Sequence, residues 1–394
     1  MNKKENEIKI FTAKGELILK SLTTMIKPAS SHCNMHCEYC FYRSLSSNRG
    51  YTTYGYMNQD LLEIVVKKAL SEAEEICTFA FQGGEPTLVG LEFFQKLIQY
   101  EKKYNQKKIK ISHAIQTNGL KIDQEWAHFL AKNQFLVGIS LDGPKSIHDL
   151  YRKDNQGKGT YQRVIKAIEF LKQYQVDYNI LSVVTSQVAR HAHQIYRFFQ
   201  KKDFQYIQFI PCLDPLGENP GKYPYSLIPE RYSRFLKTLF DLWYHDVIDH
   251  KIVSIRYFDN LLQLMLGYPP EECGMLGRCT CQFIIEANGG VYPCDFYAID
   301  QWYMGNIEEK TFSQLLASSA DQQFVQLSTY IDLACRSCPW FALCQGGCWR
   351  WREPFIDGKP CINILCSAYQ DFFQYTLERF KNIVEKIRSG DFNN

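Results

Sequence analysis

Three cysteines near the N-terminus are spaced so that their side chains can bind one metal centre. Cys33, Cys37 and Cys40 follow the pattern Cys-x3-Cys-x2-Cys, and an aromatic residue comes directly after the last of them. Most structural iron–sulfur sites use four thiolates, but the next cysteine along the chain is Cys77. A cube held by three thiolates keeps one iron open for a further ligand, as catalytic metal sites do. A zinc knuckle or chance clustering is the alternative that involves no catalysis.

A second and denser group of cysteines lies in the C-terminal third of the chain, where ten of the fifteen cysteines are found. Eight of them, enough for two sites of four ligands, form the patterns Cys-x5-Cys-x9-Gly-x4-Cys and Cys-x2-Cys-x5-Cys-x3-Cys-x17-Cys: Cys273, Cys279, Cys294, Cys335, Cys338, Cys344, Cys348 and Cys366. The turn Asn288-Gly289 predicts a hairpin that brings Cys279 and Cys294 together. Spacing alone leaves structural zinc and iron–sulfur clusters both open. We expect the other four cysteines to be small buried apolar side chains: Cys77, Cys212, Cys281 and Cys361.

The composition is that of a globular protein in a reducing compartment. The 394 residues suggest two or three domains, and 45% of them are apolar while 22% are charged. A net charge of +3 implies no general attraction to nucleic acid. Residues 1–20 lack the apolar core of a secretory signal, and no stretch reaches the roughly eighteen apolar residues of a membrane span. We therefore expect a cytoplasmic protein whose cysteines act as metal ligands or catalytic thiols rather than in disulfides.

The elements that must position these cysteines alternate between strands and helices. The apolar patterns predict six strands, at residues 23–28, 78–81, 109–116, 136–140, 178–184 and 206–211. They predict helices at residues 58–73, 91–100, 124–131, 161–174, 193–201 and 229–249. This alternation indicates an α/β fold with a parallel sheet, and six βα units suit a partial (β/α)6 barrel with its chemistry at the strand C-termini. The predicted domains are an N-terminal extension (1–20), the barrel (21–250), a bridge (251–272), a small cysteine-rich domain (273–370) and a C-terminal helix (371–394).

The two cysteine groups together resemble the radical S-adenosylmethionine (SAM) superfamily joined to a SPASM domain. The resemblance implies that the open iron of the first [4Fe–4S] cluster binds SAM, which is then split into methionine and a 5′-deoxyadenosyl radical. It also implies two auxiliary [4Fe–4S] clusters, and hence three clusters in the whole protein. One auxiliary cluster is expected on Cys273, Cys279, Cys294 and Cys348, and the other on Cys335, Cys338, Cys344 and Cys366. The assignment of Cys348 to the first of these sets comes from the resemblance and not from the spacing.

Further motifs make the resemblance closer, to the anaerobic sulfatase-maturating enzymes. They are Ile-Lys-Pro-Ala-Ser-Ser at 26–31, Phe-Gln-Gly-Gly-Glu-Pro-Thr-Leu at 81–88, Gln-Thr-Asn-Gly at 116–119, Asp-Gly-Pro at 142–144 and Tyr-Pro-Cys-Asp-Phe-Tyr at 292–297. That family oxidises one cysteine or serine of a sulfatase, within a Cys/Ser-x-Pro/Ala-x-Arg sequence, to Cα-formylglycine. The resemblance implies a nascent or unfolded sulfatase peptide as substrate, and an electron donor such as flavodoxin or ferredoxin.

The resemblance also implies roles for individual side chains. Asp295 is expected to be the base that takes the substrate's thiol or hydroxyl proton, whereas the residues alone favour a carboxylate that caps a turn. Gly83 and Gly84 have no Cβ, so we expect them to let the backbone approach the methionine end of SAM. The full set expected to bind SAM is Tyr39, Gly83, Gly84, Glu85, Ser140, Arg152 and Leu213. Surface charge for Arg152 and core packing for Leu213 are the simpler alternatives.

Two rival functions share part of this pattern, and the roles of Gln82 and Tyr42 stay open. A SPASM enzyme that forms thioether or carbon–carbon links in a peptide would use the same eleven cysteines. Such enzymes often carry an N-terminal leader-binding domain of ~80 residues, whereas about twenty residues precede the barrel here. A binding protein stapled by two zinc ions would be colourless and would catalyse nothing.

Overall fold

One sheet of eleven strands organises the described part of the chain, which is residues 10–11, 17–251 and 253–391 of a computed structural model. The strands are β1 Ile10–Phe11, β2 Leu17–Lys27, β3 Ala73–Phe81, β4 Lys110–Thr117, β5 Phe135–Ser140, β6 Tyr178–Val184, β7 Tyr206–Pro211, β8 Ser254–Ile255, β9 Ile284–Glu286, β10 Gly290–Tyr292 and β11 Gly305–Asn306. Their order across the sheet is β11-β10-β9-β2-β3-β4-β5-β6-β7-β8, and β1 pairs with β2. Most of the predicted extension at 1–20, and residues 392–394 of the predicted C-terminal helix, lie outside the described residues.

Helices connect the strands and cover the outside of the sheet. The α-helices are α1 Phe41–Ser47, α2 Gln59–Glu72, α3 Leu91–Tyr104, α4 Gln124–Lys132, α5 Lys145–Tyr151, α6 Tyr161–Gln173, α7 Ser186–Arg190, α8 Ala192–Lys201, α9 Pro229–Ile248, α10 Arg256–Leu266, α11 Phe312–Leu316, α12 Ser319–Ser328, α13 Leu333–Arg336, α14 Phe341–Cys344 and α15 Cys366–Ser389. Short 3₁₀ helices span Pro86–Val89, Cys273–Met275, Asp295–Tyr297, Asp300–Trp302 and Trp349–Arg352. None of the helices in the described ranges is long and apolar enough to pass through a lipid bilayer.

The predicted parallel α/β architecture is confirmed. Strands β2 to β7 are mutually parallel, and an α-helix lies in each connection between them. β2 and β3 both begin earlier than predicted, and for β3 the reason is that the exposed Glu74 and Glu75 near its start break the apolar pattern. Helices α1 and α5 were not predicted, since seven residues are too few for a helical period to stand out.

The cysteine-rich segment joins the barrel through the sheet. The predicted hairpin is confirmed as β9 and β10, which pair antiparallel around Gly289 at φ +82°. β9 also pairs parallel with β2, so that Lys27 lies beside Glu286 in the register. This pairing extends the barrel sheet by three strands, and it places the residues that follow β10 next to the C-terminal ends of β2 and β3.

The C-terminal helix closes the fold against the barrel. α15 begins at Cys366, five residues before the predicted start, so the last predicted cluster ligand lies in its first turn. Its aromatic side chains pack on α9, where the rings of Phe240 and Phe380 are 4.7 Å apart and those of Phe240 and Phe372 are 5.9 Å apart. These buried rings tie the chain's C-terminal helix to the sixth βα unit.

Candidate active site

The first cysteine loop leaves the C-terminal end of β2 and gathers three thiols. Burial, together with the nearby charges of Glu85, Cys37 and Cys40, raises the pKa of Cys33 to about 12. Burial likewise raises the pKa of Cys37 to about 12, while the Arg152 guanidinium opposes that rise. The three thiols lie so close together that each thiolate would destabilise its neighbours. Such a group is suited to bind a cationic centre, which would deprotonate all three thiols on binding.

Backbone hydrogen bonds hold this loop against the segment that follows β3. Gly84 N donates to Ser30 O at 2.8 Å, and Glu85 N donates to His32 O at 2.8 Å. A Cβ on Gly84 would lie 2.1 Å from His32 O, and one on Gly83, at φ +127°, would lie 3.1 Å from Ser30 O. The structure therefore accounts for both glycines through contact with the cysteine loop itself, a reason that differs from the predicted approach of backbone to SAM.

Gly84→Ala is expected to displace the cysteine loop and lower the free energy of unfolding by about 1–3 kcal/mol, the usual cost of overpacking. Because the loop carries Cys33, Cys37 and Cys40, the variant should also lose roughly the four irons of one cube. Iron analysis after anaerobic reconstitution and denaturant titration measure the two effects. Gly157→Ala, whose Cβ would meet open space at a positive φ, is the control; equal iron loss in both variants would contradict the steric explanation.

Glu85 is fully buried, and protein donors occupy both of its oxygens. Oε1 accepts hydrogen bonds from Thr87 N, Thr87 Oγ1 and Thr117 Oγ1 at 3.1, 2.6 and 2.7 Å, and Oε2 accepts from Asn118 N at 2.7 Å. Burial raises the pKa of Glu85, while these donors oppose the rise. The side chain thus fastens the segment after β3 to the end of β4, and it acts on the site through position rather than through a free carboxylate.

Asp142 links three elements around the first cysteine group. Its Oδ2 accepts from Arg152 Nε at 2.9 Å and from the Tyr39 hydroxyl, and its Oδ1 accepts from Arg152 Nη2 at 3.1 Å and from Val183 N at 3.0 Å. Arg152 and Tyr39 are both buried, and the guanidinium also lies 5.5 Å from the Tyr39 ring centroid. The surface-charge interpretation of Arg152 is therefore wrong, and the residue is positioned next to Cys37.

The remaining predicted SAM residues lie at strand ends. Ser140 is the last residue of β5, and its hydroxyl accepts a hydrogen bond from Gln116 Nε2 at 3.2 Å. Leu213 lies two residues after β7 and is buried in the hydrophobic core, as the packing alternative expects. Ser140 ends β5 and Leu213 follows β7, while Asn118 and Asp142 follow β4 and β5, so these residues lie along the same edge of the parallel sheet.

The eight cysteines of the C-terminal domain fall into two sets. Burial raises the pKa of Cys294, and Cys348, Cys279 and Cys273 raise it further. Burial also raises the pKa of Cys344 to about 11, and there the further contributions come from the other set: Cys366, Cys335 and Cys338. The structure thus brings Cys348 to the set of Cys294, which spacing could not have shown. Within the described ranges, no three His, Cys, Asp or Glu side chains converge tightly enough to hold a single metal ion.

The four cysteines outside these sets behave in two ways. Cys77 and Cys212 are buried as expected, and burial raises the pKa of Cys77 to about 12. Cys281 and Cys361 are only partly buried, so the expectation is wrong for them. The helices and strands of this small domain are short, so they cover Cys281 and Cys361 only in part.

Asp295 lies directly after Cys294, in a 3₁₀ turn that faces the ends of β2 and β3. It is 8% exposed, and its Oδ2 accepts hydrogen bonds from the Tyr42 hydroxyl at 2.5 Å and from Gln82 Nε2 at 3.2 Å. Its Oδ1 is buried and accepts no hydrogen bond from the described residues, although Lys27 Nζ lies 3.7 Å away. Burial raises the pKa of Asp295, while Lys27 and the Tyr42 hydroxyl oppose the rise. A more basic carboxylate with one free oxygen is suited to accept a proton.

This carboxylate belongs to a buried group of four charged side chains, together with Lys27, Arg49 and Glu286. Lys27 Nζ is 3.0 Å from Glu286 Oε1, and Arg49 Nη1 is 2.6 Å from the same oxygen. Lys27 and Glu286 are fully buried, and Arg49 is nearly so. Two cations therefore face two carboxylates, which removes the net charge that burial would make costly.

A cavity of about 390 Å³ lies inside the barrel beside Asp295. Its wall includes Gln82, Gly138 and Asn179 from the barrel side and Cys294 from the C-terminal domain. The volume falls in the range of about 300–1,000 Å³ that is typical of small-molecule and cofactor sites. A side chain that entered this cavity would therefore meet both the carboxylate and one four-cysteine set.

Sequence reasoning missed the residues that hold Asp295 in place. Tyr42 and Gln82 were singled out without a role, and the structure places both on the carboxylate. Lys27, Glu286 and Arg49 were not selected, although a lysine ending one apolar strand and a glutamate ending another were readable signals.

Comparisons with known proteins agree with this geometry. Residues 28–199 match the model of the radical SAM superfamily, and residues 273–339 match SPASM, an iron–sulfur cluster-binding domain. The cofactors are therefore SAM, one [4Fe–4S] cluster in the barrel and further clusters in the SPASM domain.

Similar whole proteins narrow the family. The cysteine-type anaerobic sulfatase-maturating enzyme of Clostridium perfringens (strain ATCC 13124) is 51% identical over 93% of this chain and 99% of its own length. The serine-type anaerobic sulfatase-maturating enzyme of Bacteroides thetaiotaomicron is 31% identical over 90% of this chain and 89% of its own. The solved structure of native anSMEcpe with bound AdoMet and a peptide has a TM-score of 0.90 at 50% identity, over 93% of this chain and 99% of that one. An identity of 51% over nearly the full length of both chains shows that this chain belongs to the anaerobic sulfatase-maturating enzymes.

Proposed function

We propose that this protein oxidises a cysteine of a sulfatase peptide to Cα-formylglycine, and that Asp295 Oδ1 takes the thiol proton. The observation that carries the role of Asp295 is its buried oxygen, which accepts no hydrogen bond from the described residues and borders the cavity. A buried acceptor left open in this way is costly unless a ligand supplies the donor. The substrate thiol supplies that donor.

The residues that would hold the cofactors are the predicted ones, with one change of role. Tyr39, Ser140, Arg152 and Leu213 would surround SAM, and Cys33, Cys37 and Cys40 would bind its cluster. Gly83, Gly84 and Glu85 shape the wall through their contacts with the cysteine loop and β4. When bound and cleaved by one electron from its cluster, SAM would supply the radical that takes a hydrogen atom from the substrate Cβ, and the SPASM clusters would accept the electron that the substrate radical then loses.

The chain's own side chains would control the proton. Tyr42 and Gln82 occupy Asp295 Oδ2, so the substrate meets Oδ1. Lys27 lies beside the same oxygen and stabilises its charge before the proton arrives. After transfer the carboxyl group is neutral, and the proton can leave once the aldehyde product has been released.

The substrate is proposed to carry the Cys-x-Pro/Ala-x-Arg sequence, and the electron donor to be a flavodoxin or ferredoxin. Preference for cysteine over serine is supported by the greater similarity to the cysteine-type enzyme. It also has a chemical reason, since a thiol of pKa about 8.5 gives up its proton to a carboxylate far more easily than an alcohol does.

Two peptides that differ only in Cys versus Ser test this proposal. With SAM and reductant under anaerobic conditions, mass spectrometry should show conversion of the cysteine peptide to the aldehyde at a rate at least about tenfold higher, which is ~1.4 kcal/mol of activation free energy. Exchange of sulfur for oxygen with two-electron oxidation is the expected mass signature. A thioether or carbon–carbon link in the product would instead support the rival SPASM activity, and faster turnover of serine would contradict the stated preference.

A further inference from the structure

A second cavity lies outside the barrel, where α7, α8 and α9 meet, and the oxidation reaction described above does not use it. Its volume is about 670 Å³. α7 begins directly after β6, so the cavity opens near the edge of the sheet where strands end. Its wall is formed by residues 189–194 together with Arg231, Arg234 and Thr238.

The wall of this cavity is strongly basic. It contains Arg190, Arg231 and Arg234, two histidines, and not one acidic residue. Among the described residues, none of these arginines forms an ion pair with a carboxylate: Arg231 donates to the Ser186 hydroxyl, and Arg234 donates to a backbone carbonyl. Three guanidinium groups around one concave space, without carboxylate partners, create a positive potential that an anion would neutralise.

A backbone carbonyl group fixes the orientation of one of the two histidine rings. His191 Nδ1 lies 2.8 Å from Gln187 O, and a carbonyl can only accept, so that nitrogen carries a hydrogen. The other ring nitrogen, Nε2, is then the one left to meet a ligand. Arg231 is similarly held by Ser186, which leaves the rest of its guanidinium fork for a second partner.

The size and polarity of the cavity narrow the class of ligand. Arginine matches the geometry of phosphate oxygens with two parallel hydrogen bonds, and three arginines exceed what one phosphate needs. A volume of about 670 Å³ suits a small molecule rather than a single inorganic ion. Ala189 and Ala192 are the apolar residues of the lining, and the stems of the longer side chains add apolar surface, so the cavity can hold both a charged and a less polar part of one ligand.

We propose that this cavity is a binding site for a small phosphorylated molecule that carries a diphosphate group. The diphosphate would lie among Arg190, Arg231 and Arg234, and the rest of the molecule would occupy the outer part of the cavity. The site is separate from the proposed peptide-oxidising centre, and the experiment that tests it does not depend on the function proposed for that centre.

Calorimetric titration of the SAM-bound, cluster-loaded enzyme with inorganic pyrophosphate tests the site, at constant ionic strength under anaerobic conditions. Binding should be saturable with one site per chain, and orthophosphate should bind at least about tenfold more weakly. Arg190→Gln combined with Arg234→Gln should weaken pyrophosphate binding by at least about tenfold, because each exposed arginine supplies a charge-assisted hydrogen bond. UDP and GDP then distinguish inorganic pyrophosphate from a nucleoside diphosphate as the better occupant.

The control is Arg197→Gln, which removes one positive charge, half of what the double variant loses, from an exposed position of α8 outside the cavity. This variant should bind pyrophosphate as the wild type does. Affinity within twofold of wild type in the double variant would overturn the proposal, as would the absence of saturable binding to the wild type. Tighter binding of an acidic peptide than of any diphosphate would also overturn it, since the ligand class would then be wrong.

Discussion

Replacement of Asp295 by asparagine is expected to lower the rate of formylglycine formation by about 10²–10⁴-fold, the usual contribution of a general base, while SAM is still cleaved. The amide keeps the shape of the carboxylate and can still accept from Tyr42 and Gln82. It cannot take a proton from the substrate thiol. Mass spectrometry of the peptide and chromatography of 5′-deoxyadenosine measure the two activities in one reaction.

The control for this experiment is Asp300→Asn, a substitution of the same kind in the next 3₁₀ turn. Asp300 accepts a hydrogen bond from Gly50 N at 2.7 Å, a contact that asparagine can preserve. Both variants should retain about twelve irons per chain if three cubes are filled. Turnover of the peptide by the Asp295 variant at the wild-type rate, with all clusters present, would falsify the assignment of the base.

Lys27→Met is expected to destabilise the enzyme by about 3–5 kcal/mol, because removal of one partner leaves buried carboxylates without compensation. Glu286 would keep only Arg49, and Asp295 would have no cation nearby. Formylglycine formation should fall as well, since Asp295 Oδ1 would lose the positive charge of Lys27 Nζ beside it. Denaturant titration of the cluster-loaded protein measures the first effect, and the peptide assay measures the second.

Two further variants separate burial of charge from simple loss of a side chain. Lys103→Met removes an exposed lysine that also pairs with a glutamate, Glu63, and its stability should match that of the wild type. Addition of Asp295→Asn to the Lys27 variant should restore part of the lost stability, because the carboxylate that lost its ion pair with Lys27 is then neutral. If the double variant is less stable than the single one, the ion-pair account of this centre is wrong.

The local features of the fold were predictable from the sequence, because they depend on residues that are close together in the chain. Apolar periodicity and the cap at Asn58, whose side chain accepts from Leu61 N at 2.8 Å, locate α2 within one residue at each end. Strands β6 and β7 have the bounds that alternation predicts. Cysteine spacing likewise picked out the eight cysteines that the structure gathers into two sets, although the division between the sets came from the resemblance.

Contacts between distant stretches of chain were not predictable from the residues. The pairing of β9 with β2 depends on a register between strands from opposite ends of the chain, and no local pattern records it. The same holds for the close contact between Gly84 and the cysteine loop, which joins two separate backbone segments. The motif around Gly84 does not record this contact, and the approach of Gly84 to SAM stays a prediction.

The pairing between β2 and β9 also has a consequence for biosynthesis. On the ribosome, the barrel emerges long before residues 284–295, so its first strand must wait without one neighbour until nearly three quarters of the polypeptide has been made. During that interval Asp295, the proposed base, has not yet been made. The proposed oxidation of a peptide therefore requires residues 284–295 as well as the barrel strands that precede them.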